Sequence, residues 1–67
     1  MNTNEIVGQR IRDRRLALGL STTKVAEQLD VHRQSINRFE RGSNSIGIDL
    51  LKRIADVLGV KVGELVD

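Results

Sequence analysis

Apolar residues recur along the chain at helical rather than strand spacing, and glycines divide them into short blocks. Ile11, Leu18 and the stem of Arg15 share one face by i, i+4, i+7 spacing. Asn2 or Asn4 can cap the block and Gly19 can stop it, which predicts a first helix over 4–18. Leu20 beside Ser21 sets a hydrophobic residue next to an N-cap, and Val25, Ala26 and Leu29 then form one face of a helix over 22–29. Only Asp30, Val31 and His32 follow before a third block, 33–41, that carries Ile36 and Phe39 and ends at Gly42. So short a connection is a sharp turn, with Asp30 as its left-handed residue because Asp tolerates positive φ better than most. A polar loop from Ser43 to Gly47 leads to Leu50, Leu51, Ile54, Ala55 and Leu58, a helix over 48–58 stopped by Gly59. Val60, Val62 and Leu65 predict one last helical turn, weakened by Gly63. On this reading the glycines mark helix ends.

Composition narrows the fold further. The 67 residues cannot divide their apolar content between two cores, so residues 1–67 are expected to form a single domain. Without cysteine, the 39% of hydrophobic residues must build that core unaided, and a reducing, cytoplasmic setting fits. The absence of Pro, Trp and Tyr, with Phe39 the single aromatic, argues against a β-sandwich or barrel and for an all-α fold. Apolar runs of two or three residues and an N-terminus without a signal-peptide layout predict a soluble protein with no membrane partner. Net charge is only +2, but Lys and Arg outnumber acids eight to five through Arg41, and fall short of them three to four afterwards. The first half therefore suits a polyanionic partner, although a solvated helix surface accounts for the same excess.

Two short helices joined by a three-residue turn form a helix-turn-helix pattern, with Val25, Ala26, Leu29, Val31, Ile36 and Phe39 turned inward. Ala26 is small where the two helices must cross. The run Arg10-Ile11, Arg15, Leu18-Gly19-Leu20-Ser21, then Val25-Ala26, Ser35-Ile36, Glu40-Arg41-Gly42, and later Leu51, Ile54-Ala55 and Leu58-Gly59-Val60, resembles the phage Cro and repressor type (XRE-like) helix-turn-helix family. The resemblance covers about residues 6–66. It implies a five-helix DNA-binding domain that acts as a homodimer on double-stranded operator DNA, with the third helix in the major groove.

The outward face of the third helix agrees independently. His32, Arg33, Gln34, Asn37, Arg38 and Arg41 are not needed for the core, and their donors and acceptors suit base edges. Arg pairs bidentately with guanine, and Gln or Asn with adenine. A solvated polar face is the bland alternative, disfavoured by three Arg and two amides against only Glu40. Carried onto matching positions, the resemblance makes Arg33, Gln34 and Arg38 the base readers, with His32 and Asn37 assisting. It also makes Thr22 and Thr23 at the start of the second helix, and Arg41, Ser43 and Asn44 after the third, phosphate contacts. Backbone N–H groups at a helix start bind an anionic oxygen without net charge. Arg10 and Arg14 could reach the DNA backbone, with a solvated charge as the alternative for each.

Arg15 and Glu40 match family positions that pair between the first helix and the end of the third, and each falls on the inward side of its helix. The sequence departs from the family pattern at three places. Asp30 replaces the usual turn glycine, Lys24 stands where an acid would complete a capping box, and His32 replaces a Ser or Thr N-cap. The loop from Ser43 to Ile48 carries no Lys or Arg, so its backbone contacts must be polar.

An enzyme is excluded by content. One His, no Cys and no acids spaced to meet give no nucleophile-base set, metal site, cofactor motif or evident small-molecule ligand site. The expectation is a sequence-specific DNA-binding regulator, a repressor, that dimerises through Val60, Val62, Leu65 and Val66, some of which must instead close the core. An antitoxin that represses its own operon and a helical protein-interaction module are the rivals.

Overall fold

The computed structural model describes every residue from Met1 to Asp67. It is all-α, with five helices: α1 (Thr3–Ala17), α2 (Thr22–Leu29), α3 (Arg33–Arg41), α4 (Ile48–Leu58) and α5 (Val62–Val66). No helix is long and apolar enough to cross a membrane. α1 packs against α3 and α5, while α2 packs against α3 and α4. Val25, Leu29, Ile36, Ile54 and Leu58 are wholly enclosed where these helices meet, and Ile11 and Leu65 seal the side toward α1 and α5.

The helix ends follow from local chemistry. Asn2 and Glu5 form a reciprocal capping box on α1, each side chain accepting the other's backbone N–H, at 2.9 and 3.1 Å. On α2 the Ser21 hydroxyl accepts the Lys24 N–H at 3.0 Å, but Lys24 cannot return the bond. α3 begins at His32 with no side-chain cap. Four helices close with a 6→1 bond across a left-handed residue: Leu20 to Arg15, Val31 to Ala26, Ser43 to Arg38 and Val60 to Ala55. Asp30, at φ 57°, is the one non-glycine among those residues. Leu20, Val31 and Val60 fold back on the core from these ends.

Three expectations need correction. Gly8 ends no helix. It lies buried in the middle of α1, where α3 passes so close that a Cβ would stand 2.2 Å from the Phe39 carbonyl oxygen. Leu18 is 43% exposed, because the chain turns at Gly19 and Leu20 is the residue that re-enters the core. Phe39 is half-buried rather than enclosed, packed on the edge of the core.

Arginines satisfy last-turn carbonyls that the closing turns leave free. Arg14 Nε donates to the Leu58 carbonyl at 3.1 Å and an Arg53 guanidinium N–H to the Leu29 carbonyl at 2.6 Å. Both carbonyls belong to the last turns of their helices, where no intrahelical donor reaches. Arg14 is thus a helix-end partner of α4.

Candidate nucleic-acid interface

α3 presents Arg33, Gln34, Asn37, Arg38 and Arg41 to solvent, while Ile36 at 1% exposure fixes its opposite side in the core. His32, just before the helix, is also exposed. Helical spacing sorts the exposed side chains into two rows. Arg33, Asn37 and Arg41 follow one another at i, i+4, i+8, and Gln34 and Arg38 at i, i+4. The structure therefore brings Arg33, Gln34, Asn37 and Arg38, four of the five expected base readers, together on one exposed face with Arg41, while His32, the fifth, precedes the helix.

The orientation of that face is held from behind by an ion pair. Arg15 Nε donates to Glu40 Oε2 at 2.6 Å and a second guanidinium N–H donates to Oε1 at 2.9 Å, a bidentate contact with both side chains about nine-tenths buried. A further Arg15 N–H reaches the Leu20 carbonyl at 2.8 Å, so one guanidinium ties α1, the α1–α2 turn and α3 together. The hydrogen bond to Glu40 holds the Arg15 pKa above its ordinary value, against the burial that lowers it and with help from the charge attraction.

At the start of α2 the Lys24 N–H is taken by Ser21, which leaves the N–H groups of Thr22 and Thr23 at the open end of the helix. Thr23 is exposed and Thr22 half-buried. Ser43 and Asn44 are exposed in the α3–α4 loop, whose Ser45 hydroxyl accepts from the Asn4 side chain at 3.3 Å and so ties the loop to α1.

Arg10, expected as a DNA-backbone contact, stands apart from the α3 face. It is half-buried in a groove with Asp13, Arg14, Val60 and Glu64, on the side of α1 that faces the α4–α5 corner. The exposed arginine of α1 that lies beside α3 together with the buried Arg15 is Arg12, about 200° around the helix from Arg10. Nothing in the local spacing separated the two, since the pairing of α1 with α3 is a tertiary fact. No three His, Asp or Glu side chains gather as a metal site would require.

Comparison with known proteins bears on this geometry. The model of the family described as helix-turn-helix matches residues 11–65. An uncharacterised HTH-type transcriptional regulator of Sinorhizobium medicae is 43% identical over 56 residues, which are 84% of this chain. The chain spans only 40% of the length of that relative. Control protein C.BamHI of Bacillus amyloliquefaciens is 34% identical over 67 residues, covering 98% of this chain and 83% of that protein. These relatives are regulators, not enzymes. Among solved structures, SinR, a master regulator for biofilm formation crystallised with DNA, superposes with a TM-score of 0.85 at 32% identity. The match takes in 91% of this chain and 98% of that one.

Proposed function

The chain belongs to the helix-turn-helix family, and on that premise we propose that it is a sequence-specific DNA-binding transcriptional regulator. In this reading it represses by occupying a near-palindromic operator as a homodimer, with α3 in the major groove of each half-site. The observation that carries the reading is the exposed face of α3, where three arginines and two amides stand together while the helix's one acid, Glu40, is turned inward and paired. Such a face offers bidentate donors to guanine and amide pairs to adenine, and its charge suits the phosphates on either side. SinR, similar over nearly its whole structure, was crystallised with DNA, and C.BamHI, a chain of comparable length, is a control protein. Both support the reading. Selecting bound sequences from a random DNA pool tests it, and a pool that stays random after several rounds would refute it.

Within the face, Gln34 and Arg38 are the base readers in the row away from α1. Arg38→Ala or Gln34→Ala is expected to cost roughly 1–3 kcal/mol on the best site and to relax preference at one base position. Thr22→Ala, which touches only the phosphate contact at the start of α2, should weaken all sequences alike. Binding curves on a panel of single-base operator variants distinguish the two patterns. Uniform weakening by the α3 variants would move these residues to the phosphate class.

Dimerisation draws on the apolar side chains that the core leaves uncovered near the C-terminus. Leu65 is withdrawn at 2% exposure, while Val66 is 40% and Ile48 58% exposed, with Val60 and Val62 half-buried between. Two recognition helices related by a two-fold axis in successive major grooves set half-site centres about 34 Å, roughly one turn of DNA, apart. Half a turn of DNA inserted between the half-sites should therefore abolish tight binding in a mobility-shift titration. Equal affinity for the spaced site would mean independent monomers.

A further inference from the structure

Arg12 of α1 and Asn37 and Arg41 of α3 line one polar cleft with the buried Glu40. Its volume is about 210 Å³, room for a phosphate group with part of its water shell at about 30 Å³ per water. The cleft looks balanced by Glu40 but is not. Both Glu40 oxygens accept from Arg15, the chain's one ion pair, so the acid is already matched by a buried cation. Arg12 and Arg41 are exposed and enter no salt bridge, and neither guanidinium hydrogen-bonds within the protein. Two uncompensated cations therefore converge beside an amide donor, at the edge of the α3 face where α1 meets it.

We propose that Arg12, Asn37 and Arg41 form a clamp for a single backbone phosphate of the DNA, which makes Arg12 a binding residue and moves Asn37 from base reading to phosphate contact. The inference rests on the DNA-binding reading above and adds the place where one strand is held. Guanidinium groups suit the task because their planar donor forks match phosphate oxygens, and two of them on one anion leave no repulsive pair uncovered. Asn37 and Arg41 then follow the sugar-phosphate strand on the α1 side, while Arg33, Gln34 and Arg38 face the bases. α1 thus holds DNA as well as supporting α3.

Arg12→Ala tests this without disturbing the fold, since the side chain is exposed and makes no contact that the core uses. The expected result is an unchanged melting temperature with affinity lowered roughly tenfold on every sequence. The slope of log affinity against log salt should become shallower, by less than the roughly 0.9 of a whole phosphate contact while Arg41 still holds the anion, and by about 0.9 when Arg12→Ala and Arg41→Ala are combined. Arg12→Ala combined with Arg41→Ala should weaken binding by less than the product of the single effects, because both act on one anion. An unchanged salt slope would show Arg12 to be a solvated charge, and a loss confined to one base position would make it a base reader. Either overturns the clamp while leaving DNA binding intact. A wild-type chain that retains no DNA at low salt would overturn both readings together.

Discussion

Glu40→Ala is expected to leave the protein largely unfolded near 37 °C and, as a consequence, unable to bind DNA. The carboxylate accepts two hydrogen bonds from Arg15 with both side chains withdrawn from water, so its removal strands a guanidinium that keeps only the Leu20 carbonyl as a partner. Breaking buried pairs in this way costs ~3–5 kcal/mol. Native stabilities run from ~5 to 15 kcal/mol, and a chain of 67 residues with so small a core sits at or below the lower end. The cost is thus comparable to the whole stability. Titration offers no escape. A pKa raised in the folded state contributes stability that is complete below the unfolded arginine value and fades only as pH climbs past it, so Arg15 stays charged at every working pH.

Thermal melting followed by DNA titration checks the expectation. A melting temperature within a degree or two of wild type, with tighter DNA binding, would mean that Glu40 acts as a surface acid repelling phosphate, contrary to its burial. The double replacement Arg15→Leu with Glu40→Leu gives a second reading. It removes both charges and leaves one orphaned carbonyl at Leu20, so it should be markedly more stable than Glu40→Ala alone. If the double variant is the less stable of the two, the stranded charge is not the source of the loss.

Which parts of this arrangement can be read from the residues depends on how far each interaction reaches along the chain. Helices α2, α3 and α4 run over the residues that spacing predicts, because each is bounded by signals inside its own turn. Ser21 stands at one end of α2 and Asp30 at the other, Gly42 ends α3, and Gly59 ends α4. The exposed face of α3 was legible for the same reason, since a helix that commits Ile36 to the core must show Gln34, Asn37, Arg38 and Arg41 on its other side. Family resemblance supplied the partnership of Arg15 with Glu40, which lie 25 residues apart. Local spacing alone could only turn both inward.

Contacts between elements far apart in sequence stayed hidden. Arg14 and Arg53 complete helix ends 44 and 24 residues away, and nothing in their neighbourhoods tells an end-capping arginine from a solvated one. Arg10 and Arg12 look alike on α1 until α3 and α5 are packed on its two sides. Leu18 reads as core by periodicity, yet the turn at Gly19 hands that task to Leu20. The recurring cause is that periodicity says which way a side chain points from its own helix, and only packing says what lies there.

Gly8 is the residue where packing overrides propensity most directly, and Gly8→Ala is expected to destabilise the protein although it improves the helix. In an open helix the exchange would gain about 1 kcal/mol. Here the added methyl would stand 2.2 Å from the Phe39 carbonyl oxygen, 2.8 Å from that of Glu40 and 2.9 Å from the Glu40 carbonyl carbon. All three are backbone atoms, which no rotamer change can move aside, so α1 and α3 must separate by about 1 Å to restore ordinary contact. Overpacking of this kind costs ~1–3 kcal/mol. Separation also stretches the short contacts between Arg15 on α1 and Glu40 on α3, which adds part of the cost of breaking that pair. The net loss should be roughly 2–4 kcal/mol, a fall in melting temperature on the order of 10–20 °C for a domain this size. Gly19→Ala is the control: its φ of +72° is strained for alanine, but nothing lies within 4 Å of the new methyl, so it should lose only about 1 kcal/mol. A Gly8→Ala protein that melts at or above wild type would show that α1 and α3 do not meet at backbone distance. Both the seating of Glu40 and the placement of Arg12 beside Arg41 would fail with it, because that crossing brings each of them into position.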